Sequence, residues 1–189
     1  MKRLFLSVFM LLVAFATFAQ SRPKLIVGIA VDQMRWDYLH RYYNLYCEGG
    51  FKRLMNEGFD CENTMINYIP AITAVGHTSI YTGAVPSIHG IQANNFLLNG
   101  KMTYCTADST VSGVGTDSKA GQMSPRNMLT TTIGDELKVA TSFKSRVFGV
   151  SIKDRAAILP AGHAADAAYW IDSKQSKFIT STYYMKQLP

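Results

Sequence analysis

The sequence predicts an α/β fold with a mostly parallel central sheet flanked by helices, and three observations carry that reading. A continuous apolar run, KLIVGIAV (24–31), has the Val and Ile content of a strand covered on both faces. A second run, RVFGVSI (146–152), is separated from it by segments of near-helical spacing, so strands and helices alternate along much of the chain. At 189 residues and 48% hydrophobic content, the chain has the material for one sizeable core.

The first residues stand apart. MKR is a basic start, LFLSVFMLLVAFATF is an apolar run, and small residues allow cleavage after Ala19. This predicts a secretory signal peptide over 1–19, because the run falls short of a membrane span of about 20 residues with suitable flanks. The expected product is exported, periplasmic or secreted, with no stable membrane span once the signal is cleaved. Cleavage would remove Lys2 and Arg3, leaving 17 basic residues against 13 acidic ones. A mildly basic protein suits an anionic small molecule. With no block of like charges and no basic face interleaved with aromatics, nucleic acid is not an expected partner. Cys47, Cys61 and Cys105 show no CxxC spacing; in an exported protein two of them could pair, and the sequence does not choose which.

Asp32 directly follows the first apolar run, the position at which open parallel sheets collect ligands, although a turn or capping aspartate fits there too. RWDYLHRYYNLY (35–46) and GGFKRLMNEGF (49–59) have near-helical spacing, with Gly58 as a C-cap. CENTMINY (61–68) reads as extended. From Thr73, TAVGHTSIYTG fits a short helix ended by Gly83, with Pro86 forbidding much extension. NNFLLNGKMTYC (94–105) has Asn-Gly between two alternating arms and predicts a hairpin. Residues 106–127, rich in Ser, Thr, Gly and Asp, read as a long surface loop. TTIGDELKVAT (131–141) predicts an amphipathic helix. The strand at 146–152 is followed at once by Lys153, Asp154 and Arg155, and AAYWID and KFITSTYY give two more extended or partly helical pieces.

Asp32, Thr73 and the Lys153/Arg155 pair all follow buried runs, so one sheet would bring them to one crevice. Free N–H groups at a helix start favour an anion at Thr73, and a metal ion held by a hard oxygen ligand such as Asp32 would let its hydroxyl ionise. Two cations two positions apart on a continuing strand would share a face and clamp an anion's oxygens. Each group also has a plainer reading: Thr73 as a helix N-cap, the two cations as a solvated strand end, Asn94 as a turn residue. His77, His89 and His163 have no recognised zinc-ligand spacing and read as core or helix-supporting residues.

VGIAVDQMRWDYL, TAVGHTSIYTGAVPSIHGI and SIKDRAAILPAGHAADAAYWID together resemble the alkaline phosphatase superfamily, in its nucleotide pyrophosphatase/phosphodiesterase branch. The match is nearest to exported bacterial alkaline phosphatases with a threonine nucleophile. The resemblance implies an alkaline-phosphatase-like domain whose amino-terminal portion is residues 20–189, incomplete in this chain. It implies Thr73 as nucleophile and metal contact, Asp32 as a zinc ligand, and Asn94, Lys153 and Arg155 as groups that bind the phosphoryl moiety. The implied reaction is zinc-dependent hydrolysis of a phosphate monoester through a phospho-threonine, on a phosphorylated small molecule. Family sites hold two zinc ions, and the remaining ligands are expected beyond this chain, so the chain by itself is expected to be inactive. The alternatives are a phosphodiesterase or nucleotide pyrophosphatase, or a non-catalytic truncated product. No Cys/Ser-x-Pro-x-Arg motif points to a sulfatase.

Overall fold

The computed structural model describes residues 23–189, which fall into two units divided between Gln33 and Met34. The expected signal peptide at 1–19 lies outside the described residues. In the first unit the run 24–31 is not part of a strand, and Leu25, Ile26, Val27 and Ile29 are exposed. The sequence pattern specifies a strand that needs neighbours on both edges and cover on both faces, and among the described residues no strand pairs with it. Asp32 and Gln33 form a turn at its end.

The second unit begins with short helices, α1 (Tyr38–Arg41) and α2 (Phe51–Glu57), with a 3-10 turn at Tyr43–Leu45 between them. The helical spacing over 35–46 is therefore realised only in part. Helix α3 (Thr73–Thr82) ends at Gly83, which takes a left-handed φ of 65°, and α4 (Pro86–His89) has proline in its first turn. Strands β1 (Asn95–Leu98) and β2 (Lys101–Tyr104) form the expected hairpin, in register from Asn95 opposite Tyr104 to Leu98 opposite Lys101. Its turn places Asn99 at φ 50° and Gly100 at φ 77°, the positive pair that an Asn-Gly type I′ turn demands.

The remaining strands are β3 (Gly113–Val114), β4 (Phe148–Val150), β5 (Ala167–Asp172) and β6 (Lys177–Ser181), in the order β3-β6-β5-β4. The sheet is mixed: β4 and β5 are parallel, whereas β6 is antiparallel to both β5 and β3. Helix α6 (Asp154–Ala161) makes the crossover between the parallel pair, and α5 (Ile133–Ala140) precedes β4. A capping box starts α5: Thr132 accepts from the Asp135 amide while Asp135 accepts from the Thr132 amide. One core joins Ala74, Ile91, Phe96, Cys105, Met128 and Leu159, so α3, the hairpin and α6 share an interior. A second packs Ala157, Ile158, Ala161, Ala168, Trp170 and Ile179 between α6 and the sheet.

The segment 106–127 is a loop in outline, but it is held from inside rather than solvated. Thr106, Asp108, Thr116 and Ser124 are buried, and Trp170 Nε1 donates to the Ala120 carbonyl at 2.9 Å. Asp108 accepts from Ser124 Oγ, from the Thr110 amide and hydroxyl, and from Arg126. Burial alone would raise its pKa, yet those donors, led by Ser124, outweigh burial and hold it at about 2. Asp172 is held at about 2 by hydrogen bonds from Thr116 and then Ser118.

Two outcomes follow from this packing. A Cβ on Gly149 would meet the Ala157 carbonyl oxygen well inside contact distance and Ala161 Cβ at 2.9 Å. Gly149→Ala is therefore expected to cost about 1–3 kcal/mol in urea unfolding, because α6 must lift from β4. The depressed Asp108 pKa stabilises the fold above its ordinary value of 3.8, and that contribution is lost as pH falls through about 2. Asp108→Asn is expected to lower neutral-pH stability by about 2 kcal/mol and to flatten its pH dependence across that window, measured by urea unfolding at stepped pH.

Candidate active site

Thr73 is the first helical residue of α3, not its cap. The cap position belongs to Ile72, whose extended backbone offers no side-chain oxygen to the helix, and Thr73 is half-buried. The Ala74 amide, one of the four free N–H groups of this helix start, donates to Asn94 Oδ1 at 3.1 Å. The other hydroxyls of α3 have local partners. Thr78 Oγ1 donates to the Ala74 carbonyl at 2.7 Å and Thr82 Oγ1 to the Thr78 carbonyl at 2.8 Å, while Ser79 Oγ lies 3.0 Å from His89 Nε2.

The three histidines lie in three different settings. His89 is fully buried: Nδ1 accepts from the Ile91 amide at 3.1 Å, which leaves Nε2 to carry the proton towards Ser79. Burial lowers its pKa and keeps the ring neutral. His77 is buried on α3. His163 donates its backbone amide to Asp135, in the turn after α6.

Lys153 and Arg155 depart from the expected geometry. The strand ends at Val150; Lys153 caps α6 and Arg155 lies in its first turn, so the two do not share a face of a continuing strand. Asp154 in the first turn suits the positive end of the helix, which is the local reason that the chain turns helical here. Lys153 is exposed. Arg155 Nη1 donates to the Tyr104 hydroxyl at 2.7 Å, and that hydroxyl donates to Asp154 Oδ1 at 3.0 Å. Thr106 Oγ1 donates to Asp154 Oδ2.

The hairpin ties these groups together. Asn94, just before β1, accepts from the Cys105 amide at 2.9 Å through its own carbonyl, and Tyr104 closes β2. Asn127 Nδ2 lies within hydrogen-bonding reach of the Tyr104, Cys105 and Ala107 carbonyls, fixing the chain where it leaves the hairpin. A short series of bonds therefore runs from the start of α3, through Asn94 and the hairpin base, to Arg155. Two helix N-termini, each preferring negative charge, thus belong to one braced unit. Asp32 lies in the turn of the first unit, and the other four predicted residues belong to the second.

Tyr104, Asp154, Thr106 and Asn127 escaped sequence reasoning. The Asn-Gly turn marks the hairpin, but no local signal connects Tyr104 to an arginine about fifty positions on. Among the described residues, no three His, Cys, Asp or Glu side chains converge where they could hold a metal ion. Cys105 is buried and Cys47 and Cys61 are exposed, all as free thiols; burial and then the Asp154 charge push Cys105 up to about 12, so it is no nucleophile. No helix among the described residues is long and apolar enough to cross a membrane.

Comparisons with known proteins identify the family of the chain. The chain is 59% identical to alkaline phosphatase PafA of Elizabethkingia meningoseptica over 176 residues, covering 92% of this chain and 32% of that protein. It is 58% identical over 181 residues to a protein of Myroides odoratus named calcium-transporting ATPase, covering 93% and 33%. The crystal structure of wild-type PafA superimposes with a TM-score of 0.88 at 59% identity, over 90% of this chain and 34% of that one. The chain thus spans about a third of the length of the relatives it matches. A family profile described as type I phosphodiesterase / nucleotide pyrophosphatase matches residues 26–188, nearly the whole described chain, and to that family the chain belongs.

Proposed function

We propose that this chain carries the nucleophile and phosphoryl-binding side of a phosphate monoester hydrolase of the alkaline phosphatase type. The observation that carries the reading is the brace from α3 through Asn94 and the hairpin to Arg155. A second solved structure, of a PafA variant, supports it: that variant is substituted at a threonine and an asparagine 21 positions apart and at a lysine and an arginine two apart. Those are the separations of Thr73 from Asn94 and of Lys153 from Arg155.

In this proposal Thr73 Oγ attacks phosphorus in line. A bond forms from Oγ to phosphorus as the hydroxyl gives up its proton, the bond to the leaving oxygen breaks and that oxygen takes a proton from solvent to depart as the alcohol, and water later cleaves the phospho-threonine to inorganic phosphate and Thr73. The N-terminus of α3 favours the charge developing on Oγ and on the phosphoryl oxygens. Asn94 Oδ1 is occupied by the Ala74 amide, so what Asn94 offers a ligand is its NH₂ donors. Arg155 and Lys153 supply positive charge, which favours the more highly charged monoester over a diester.

Zinc belongs to the proposal as well, with Asp32 and Thr73 as ligands. The described residues do not fit a complete site, because no three metal-binding side chains converge, and no step is assigned to the metal. Export through the 1–19 segment and a phosphorylated small molecule as substrate complete the proposal. The family description keeps a diester or nucleotide substrate as the second reading.

Zinc-loaded full-length protein assayed on an aryl phosphate, a bis-aryl phosphate and ATP separates the readings. Faster turnover of the monoester supports the proposal, and faster turnover of the diester overturns it. Thr73→Ala is expected to abolish turnover. Thr78→Ala removes only a bond to its own helix and is expected to retain activity within tenfold; the reverse ranking refutes the nucleophile. For the 189-residue chain by itself, metal analysis after dialysis is expected to find less than one zinc per chain and the assay no turnover. Stoichiometric zinc with turnover would overturn the assignment of metal ligands.

A further inference from the structure

We infer that Tyr104 is the positioning residue of Arg155, fixing the angle at which the guanidinium meets a phosphoryl group. The inference rests on the phosphomonoester reading and names how that site is aimed. Arginine has no acceptor and an ionised carboxylate no donor, so the two bonds at the phenol have one possible direction. The Tyr104 oxygen accepts from Arg155 Nη1 at 2.7 Å and gives its own proton to Asp154 Oδ1 at 3.0 Å. Asp154 is itself held by Thr106 through its second oxygen, so the relay is anchored on the hairpin end as well as on α6. Burial first, and the Asp154 charge second, raise the Tyr104 pKa, which keeps the phenol protonated and the relay in this sense.

Two features distinguish a device for aiming from ordinary packing. Among the described residues Arg155 makes no ion pair, although Asp154 precedes it in the chain. A neutral phenol between them orients the guanidinium through Nη1 alone, so the donors that a direct ion pair would take up are left for an anionic ligand. Moreover, Arg155 Nε is buried and hydrogen-bonds to no described residue. Tyr104 takes Nη1, the arm on the far side of the guanidinium, which leaves the edge made by Nε and Nη2. That edge is the fork matched to two oxygens of one anion. The Tyr104 ring, 5.9 Å from Arg155 Cζ, limits sideways motion.

The test uses the 189-residue chain, labelled with nitrogen-15, with inorganic phosphate as the probe. Wild type is expected to show separate Arg155 Nη resonances, because rotation of the guanidinium is slowed, and a shift of its Nε–H resonance on adding phosphate. In Tyr104→Phe, which keeps the ring, the Nη resonances are expected to merge and phosphate affinity to fall roughly three- to tenfold, the effect of one hydrogen bond. In an Arg155→Ala background the same substitution should leave phosphate affinity unchanged. Asp154→Asn weakens the phenol's acceptor while leaving Tyr104 intact; it should move both readouts the same way, and it substitutes for Tyr104→Phe should that variant not fold. Unchanged Nη exchange and unchanged affinity in Tyr104→Phe would overturn the positioning role and leave the phosphomonoester reading standing. Phosphate that moves no Arg155 resonance in wild type would overturn that reading, and the role of Tyr104 with it.

Discussion

The hydrogen bond from the Ala74 amide to Asn94 Oδ1 is the constraint on which the rest of the second unit's site depends. It satisfies a backbone donor that the helix start cannot satisfy for itself, because Ile72 at the cap position has no oxygen to offer. It also fixes the base of the hairpin against α3. From there the position of Tyr104 is set, since β1 and β2 pair Asn95 with Tyr104 and the Cys105 amide closes on the Asn94 carbonyl. Ala74 and Leu159 share one core with Phe96 and Cys105, so the same contact that anchors Asn94 also seats α6. The polar brace and the apolar core therefore determine the same arrangement, and neither would define it singly.

Seating α6 requires something of the sheet. A helix that carries a charged first turn to a fixed place must be held tightly along its far side, and Gly149 provides this by letting Ala157 and Ala161 lie against β4. The Trp170 side chain packs in the same core between α6 and the sheet and donates to the Ala120 carbonyl, which draws the 106–127 segment into the same body. Order in that segment thus comes from the sheet, which it joins through β3, and from its buried side-chain hydrogen bonds.

What the sequence made legible follows from how local each signal is. Thr73 to Gly83 was readable because a helix stop and a proline lie within a few residues, and the hairpin because Asn-Gly dictates its own turn. The helix expected over 131–141 forms as α5, where the structure adds a cap between Thr132 and Asp135. The helix at 154–161 was missed because Pro160 and a short Lys-Asp-Arg cluster obscure its pattern, while what stabilises it is burial against α3 and β4. Residues 24–31 failed in the opposite way. Their composition asks for a covered strand, but a strand exists only where a partner edge is supplied, and period alone cannot supply one. The candidate site divides similarly: Thr73 and Asn94 lie beside local signals, whereas the bond between Tyr104 and Arg155 is a property of the folded chain.

The placement of acidic groups explains why positive charge persists at this site. Asp108, Asp135 and Asp172 are buried and surrounded by hydroxyl or amide donors, and Asp166 is engaged by Lys138, Arg146 and the Val147 amide. With their lone pairs occupied, these carboxylates act as internal fasteners. Asp154 is the acid nearest to Arg155, and its oxygens are turned to Tyr104 and Thr106 instead of to the guanidinium. A direct ion pair there would have taken up donors of the guanidinium. Inserting a phenol keeps an orienting contact while engaging Nη1 alone, so a helix with an acid in its first turn can still present arginine donors to an anion.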